Sequence, residues 1–161
     1  MRCTLPVVVA FSLVLCACAA GPVYRPATAA NGYGYRDSAL TDSHYQVSFA
    51  GGYGLAQDSV RKFALYRAAQ VTLAHGASRF RVVSRQTTPV TTGGGHSTLG
   101  VGFGHPFWGL GVGYAPVPRR TRYETVLDIK IGAGVPASGP DVYDAASVVQ
   151  HLADWVAAAN T

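Results

Sequence analysis

The chain has 161 residues, with 13 Lys+Arg against 8 Asp+Glu, 19 glycines and three cysteines. This length is the size of one domain, and 13% charged residues is low against the roughly 25% that is usual for globular chains. Cys3, Cys16 and Cys18 all lie at the N-terminus. Because no cysteine follows them, the body of the chain cannot hold a disulfide, a thiolate metal site or a cysteine nucleophile.

The N-terminus has the pattern of a secretory signal. Arg2 is followed by an apolar segment, 5–15, that contains no acidic or basic residue. An apolar run of about ten residues is half of the roughly 20 that a membrane-spanning helix needs. Residues 1–17 are therefore predicted to be a signal peptide and not a membrane span.

The signal ends on Leu15-Cys16-Ala17-Cys18, which resembles the lipobox of bacterial lipoproteins. The resemblance implies that Cys18 is acylated and becomes the mature N-terminus, where buried acyl methylenes give a lasting membrane anchor. In such lipoproteins an aspartate after the cysteine is the usual signal for retention in the inner membrane. Ala19 in that position therefore implies the periplasmic side of the outer membrane. An ordinary cleaved signal that ends near Ala20 is the alternative.

The mature chain offers little that indicates catalysis or a cofactor. Residues 18–161 carry 12 basic and 8 acidic side chains, because Arg2 leaves with the signal, and this excess is too small and dispersed to indicate nucleic acid. The five histidines show no metal-ligand spacing, and no Gly-x-Ser-x-Gly elbow is present. We expect no enzyme activity, no metal and no cofactor.

The mature chain begins with a Gly- and Pro-containing stretch, 18–42, that lacks hydrophobic periodicity and is predicted to be a flexible tether. A domain is expected over 43–158. Hydrophobic alternation predicts three strands, and helical spacing predicts two helices, the first with Asp58 as its N-cap and Gly76 near its C-cap. The predicted strands are 44–50, 79–88 and 121–132, and the predicted helices are 58–74 and 141–158.

The order strand, helix, strand, strand, helix predicts a small two-layer α+β domain. We expect a three-stranded mixed sheet in which a right-handed crossover joins the first two strands, with both helices on one face. Antiparallel pairing of the last two strands would place Arg81 and Arg85 near Glu124 and Asp128 on the solvent-facing side.

A Gly- and aromatic-rich insertion, 91–120, separates the last two strands. Nine of the 21 residues from 93 to 113 are glycine, and they alternate with apolar residues that include Phe103, Phe107, Trp108 and Tyr114. No Gly-Lys-Ser/Thr follows the glycines, so phosphate binding is not indicated. Two interpretations remain: a mobile hairpin tip of low complexity, or an adhesive loop whose aromatic residues contact lipid headgroups or a partner surface.

Arg67 is the one charged residue inside an apolar stripe of the first helix. Either its stem crosses the core and its guanidinium meets carbonyls or a carboxylate, or the side chain snorkels past the edge of the core. Ligand binding is the alternative. The run Arg67-Ala68-x-x-Val71 resembles the peptidoglycan-binding helix of OmpA-like domains, in which a Thr-Asp pair completes the site. Thr41-Asp42 would supply that pair, although a whole strand separates it from the helix. The resemblance implies peptidoglycan binding as an alternative function.

A second resemblance covers most of residues 33–155. It rests on Gly34-Tyr35, Tyr45-x-Val47-x-Phe49-x-Gly51, Tyr66-Arg67-Ala68-Ala69 and Tyr143-Asp144-Ala145. These runs resemble a family of uncharacterised proteobacterial envelope lipoproteins, from which the chain departs at Arg36 and Gln70. The resemblance implies an anchored structural or interaction module of the cell envelope, held in the membrane by its lipid, with envelope proteins or peptidoglycan as partners.

Overall fold

A computed structural model describes residues 23–29, 32–92, 96–104, 107–115 and 118–161. It contains seven strands and two helices within these residues. In chain order they are β1 (Gly34–Thr41), β2 (His44–Ala50), α1 (Gln57–Ala74), β3 (Arg79–Thr92), β4 (His96–Gly104), β5 (Phe107–Ala115), β6 (Arg120–Ile131), β7 (Val142–Asp144) and α2 (Ala145–Ala159).

The main sheet has five strands in the order β1-β2-β6-β3-β7, and every neighbouring pair is antiparallel. The predicted α+β class with two helices is confirmed, whereas the predicted three-stranded mixed sheet is wrong. The reason is that β6 lies between β2 and β3. The crossover through α1 therefore joins two strands that run parallel to each other without being neighbours.

The edge strand β1 occupies residues that were assigned to the flexible tether. It pairs with β2 in a hairpin, with Gly34 opposite Ala50, and carries few apolar residues because most of it is exposed. The segment before it is also docked: the Ala27 N–H donates to the Tyr35 carbonyl at 2.9 Å, and the Tyr35 N–H donates to the Arg25 carbonyl at 2.8 Å. The folded part of the chain therefore extends back at least to Val23.

Gly34 makes this close approach of the two segments possible. Its φ of +118° is open to glycine and strained for other residues, and a Cβ at this position would lie 2.2 Å from the Arg25 carbonyl oxygen. Any larger residue at position 34 would push the docked segment away from β1.

The core lies between α1 and the sheet. α1 packs across β2, β6 and β3, and α2 packs against α1, with the Trp155 ring 4.6 Å from that of Phe63. The predicted alternation of β6 is confirmed, since Thr125, Leu127 and Ile129 are buried and the residues between them are partly exposed. The largest fully buried side chains are Phe49, Phe63, Phe80, Leu127, Ile129, Val47 and Val60.

The helix ends differ from the prediction. α1 begins after Ala56, which makes no side-chain cap, and Asp58 instead forms a first-turn ion pair with Lys62 at 2.8 Å. α2 begins later than predicted, because residues 142–144 form β7 and the Asp144 side chain caps the helix by accepting from the Ser147 N–H at 2.8 Å. The Asp144 carboxyl is exposed, and the hydrogen bond from the Ser147 N–H lowers the pKa of this carboxyl.

A β-bulge in β3 overturns the predicted charge pairs. The register shifts between Val82 and Ser84, so that Arg85 lies opposite the inward-facing Leu127 and its guanidinium contacts the Tyr143 hydroxyl at 3.0 Å. An extra residue in one strand reverses which positions face the core. The predicted partners bond elsewhere: Glu124 pairs with Arg36 at 3.6 Å, Asp128 accepts from Gln46 at 3.1 Å, and Arg81 lies opposite Lys130.

Candidate functional site

The predicted site residues fall into three parts of the molecule. Cys18, with the predicted signal peptide, lies outside the described residues. Arg67 lies on α1 beside the edge strand β1. The aromatic positions of the insertion, Phe103, Phe107, Trp108 and Tyr114, lie on β4 and β5. The structure does not describe the side chains of these four aromatic residues.

The Arg67 guanidinium is bonded to a carboxylate on the edge strand, which is one of the two outcomes expected for an arginine in an apolar stripe. Its Nε and one terminal nitrogen lie 2.8 and 2.7 Å from Asp37 Oδ1, and its other terminal nitrogen lies 3.4 Å from Gln70 Oε1. The guanidinium also stacks over the Tyr35 ring at 4.2 Å. The carboxylate is that of Asp37 on β1 and not the Asp42 of the Thr-Asp pair. These contacts of Arg67 with Asp37 and Tyr35 hold β1 against α1.

Tyr24 belongs to the same cluster, and nothing in the sequence pattern pointed to it. Its ring lies 4.8 Å from that of Tyr35 and 5.6 Å from that of Phe63, and its hydroxyl donates to Gln70 Oε1 at 2.7 Å. Burial raises the pKa of the Tyr24 phenol, while the nearby Arg67 guanidinium acts in the opposite direction. Gln70 therefore links the docked N-terminal segment to Arg67.

The Arg67–Asp37 pair borders an open cavity of about 760 Å³ that curves around the edge of β1. Its other walls are polar residues of the open sheet face, including Arg36, Gln46 and Glu124. The ionic groups in it already neutralise one another, because Arg36 pairs with Glu124 and Arg67 pairs with Asp37. Within the described residues, no three His, Cys, Asp or Glu side chains come together in a way that could hold a metal ion.

A second cluster, which sequence reasoning also missed, lies where the insertion leaves the sheet. We call it the arginine–tyrosine patch: Arg25, Tyr33, Tyr53, Arg120 and Arg122. The two tyrosine rings meet edge to face at 6.0 Å, Arg120 lies over Tyr53 at 6.0 Å, and Arg122 lies over Tyr33 at 5.4 Å. Both tyrosines are exposed. A shallow depression of about 320 Å³ joins them to Val23 and Arg25.

The insertion itself forms a separate two-stranded antiparallel ribbon of β4 and β5. Its register places Leu99 opposite Val112, Val101 opposite Leu110 and Phe103 opposite Trp108. Opposite positions, and every second position along a strand, share a face. One face of the ribbon therefore has all these apolar positions and Tyr114. The other has Phe107 and six glycines, at 100, 102, 104, 109, 111 and 113.

Comparison of the chain with protein-family models, with characterised proteins and with solved structures gives no match in any of the three. In the described part of the chain, neither helix combines the length and the apolar character needed to cross a membrane. The resemblance to envelope lipoproteins therefore stays a prediction based on the quoted residues.

Proposed function

We propose that the protein is a lipid-anchored lipoprotein of the outer membrane, on the periplasmic side, whose domain is a structural or interaction module of the cell envelope. The lipobox pattern that ends at Cys18 indicates the anchor. The observation that carries the proposal is the position of this cysteine relative to the fold. Only four residues separate Cys18 from Val23, which already packs against the core as part of the docked segment.

The short connection limits how far the domain can lie from the membrane. A fully extended chain spans at most about 3.3–3.6 Å per residue, so the five Cα-to-Cα steps from Cys18 to Val23 reach about 18 Å. The docked segment cannot lengthen this reach while Tyr24 stays in the core and Arg25 and Ala27 stay bonded to Tyr35. An acyl chain on Cys18 would therefore hold the domain close to the bilayer surface, where a module for envelope partners is useful.

Metabolic labelling with radioactive palmitate tests the anchor. We expect label on the wild-type chain and on Cys16→Ser, because Cys16 leaves with the signal, and no label on Cys18→Ser. Labelled Cys18→Ser, or an unlabelled wild type that is nevertheless cleaved, would contradict the proposal. Membrane separation on a density gradient tests the sorting: wild type is expected in the outer-membrane fraction, and Ala19→Asp in the inner-membrane fraction.

Peptidoglycan binding is the second candidate, and the cavity beside Arg67 and Asp37 is the observation in its favour. A ligand that carries both an amine and a carboxylate could exchange with this ion pair. The pair is partly exposed, with 24% of the Arg67 side chain and 33% of the Asp37 side chain accessible. Equal retention of wild type and Arg67→Gln on purified sacculi would remove this site as an explanation.

A further inference from the structure

The arginine–tyrosine patch lies where the chain emerges toward its anchor. Val23 and Arg25 line the same depression as Tyr33 and Tyr53. Because Cys18 is within about 18 Å of Val23, a bilayer that holds an acyl chain on Cys18 lies beside this depression. The location of the patch next to the anchored segment is therefore the first indication that it faces the membrane.

The charge of the patch is strongly positive and is not neutralised locally. Among the described residues, Arg25, Arg120 and Arg122 form no ion pair with a carboxylate, in contrast to Arg36, Arg67 and Arg85. The depression has no acidic residue among those that line it. Arg119, exposed and next to Arg120, adds a fourth guanidinium. Such a cluster attracts anionic lipids over roughly one Debye length, about 8 Å at physiological salt.

The aromatic part of the patch fits the same surface. Tyr33 is 37% exposed and Tyr53 is 41% exposed, and amphipathic tyrosine rings concentrate at the level of the headgroups in membrane proteins. The ribbon of β4 and β5 is also joined to the sheet here, since Thr92 at the end of β3 lies opposite Arg120 at the start of β6.

We propose that the arginine–tyrosine patch binds the anionic phospholipid headgroups of the membrane that holds the lipid anchor, so that the domain lies on the bilayer in one orientation. The inference rests on the proposed anchoring at Cys18. The arginines supply attraction to the phosphates, and Tyr33 and Tyr53 supply rings suited to the interface.

Vesicle binding by the chain without its lipid tests the patch alone. The chain is residues 18–161 with Cys18→Ser, which retains every described residue. We expect it to sediment with vesicles of phosphatidylcholine mixed with phosphatidylglycerol and not with phosphatidylcholine alone. We expect Arg119→Gln/Arg120→Gln to weaken partitioning about tenfold or more, because each arginine near an anionic surface strengthens binding several-fold. Added salt should weaken wild-type binding.

The matched control is Arg81→Gln/Lys130→Gln. These two residues lie opposite each other at the far end of the β3–β6 pair, and their replacement removes the same number of charges. We expect binding within about twofold of wild type, because about ten residues of strand, roughly 33 Å or four Debye lengths, separate these charges from Arg120. Far-ultraviolet circular dichroism confirms that each variant is folded.

The outcomes separate this inference from the proposed function. Equal loss in both double variants would show binding through general charge, and binding independent of phosphatidylglycerol would show no headgroup selectivity; either result overturns the inference. If palmitate labelling succeeds while vesicle binding fails, the anchor stands and the patch does not. If labelling fails, the proposed function is wrong whatever the vesicles show.

Discussion

Tyr24 joins parts of the molecule that are distant in sequence. Its ring lies between β1 and α1, its hydroxyl bonds to Gln70, and its backbone N–H donates to Asn160 Oδ1 at 2.8 Å, just after the end of α2. One residue of the docked segment therefore connects the edge strand with both helices. Its removal should affect the whole domain and not only the N-terminus.

The ionisation of Tyr24 gives a stability prediction with a definite sign. Burial raises the pKa of the folded phenol above its ordinary value of about 10, so the unfolded chain loses this proton first as the pH rises. The contribution of Tyr24 to stability is then complete below about pH 10 and is lost progressively as the pH rises toward the folded pKa. Wild type should become less stable in this alkaline range.

Tyr24→Phe checks this prediction. At neutral pH we expect a free energy of unfolding lower by about 1 kcal/mol, from loss of the hydrogen bond to Gln70. Between about pH 9 and pH 11 its stability should fall less steeply than that of wild type, because the ionising phenol is gone. Urea unfolding followed by circular dichroism measures both, with Tyr123→Phe as the control. Parallel pH curves for wild type and Tyr24→Phe would contradict the argument.

The bonding of Arg67 shows what the sequence could reveal about a single site. An arginine in an apolar stripe must either satisfy its guanidinium inside the protein or extend past the edge to solvent, so a carboxylate or carbonyl partner was one of two expected outcomes. The partner itself was not, because Asp37 lies 30 residues earlier, in a stretch without periodicity. Gly34 and Tyr35, which the family resemblance included, acquire a physical role only in the fold: one permits the docking, and the other lies under Arg67.

At the scale of the elements, the facing of side chains was predictable in a strand whose apolar and polar residues alternate without a break, and not in a strand that contains a bulge. β6 alternates without a break, and its buried face was predicted correctly. β3 alternates as expected as far as Val83: Phe80 and Val82 are buried, whereas Val83 is 51% exposed. The bulge after Val82 then shifts the register, so that Arg85, expected on the same face as Val83, lies opposite the buried Leu127. The hydrophobic pattern alone does not determine where a bulge exchanges the core-facing and solvent-facing positions of a strand.

This assignment is testable with one substitution at two neighbouring positions. Val82→Thr should lower the free energy of unfolding by about 1–3 kcal/mol, because it buries a hydroxyl in the core. Val83→Thr should change it by no more than about 0.5 kcal/mol, as is usual for exposed positions. Urea unfolding of the two variants measures the difference. Equal effects, or a larger effect at Val83, would place the bulge elsewhere in β3.

The ribbon illustrates a similar limit. Its glycines and apolar residues could be counted along the sequence, but their distribution between two faces depends on the register of β4 against β5. A shift by one residue would have mixed the two sets on each face. The observed register places the apolar positions other than Phe107 on one face and the six glycines on the other, which gives the ribbon one mainly apolar face.

At the scale of the whole molecule, the chief difference from the prediction is the domain boundary. The chain was divided at residue 43, because nothing before it had hydrophobic periodicity. The structure adds residues 23–28 and β1, which are held by main-chain hydrogen bonds to Tyr35 and by the ring of Tyr24. Neither interaction depends on a repeating side-chain pattern. The boundary also determines the reach of the anchor, because the predicted tether of residues 18–42 shortens to the four residues between Cys18 and Val23.

A truncation series tests this boundary. Chains that begin at Ala19 and at Val23 should have the same melting temperature, whereas a chain that begins at Gly32 should melt about 10 °C lower. Burial of the Tyr24 ring contributes about 2 kcal/mol and its hydrogen bonds about 1 kcal/mol each, and each kcal/mol corresponds to about 2–4 °C in a domain of this size. Tyr24→Ser in the chain from Ala19 should reproduce most of the loss. If the Gly32 chain melted like the other two, residues 23–31 would not belong to the domain, and the anchor would act through a tether more than twice as long.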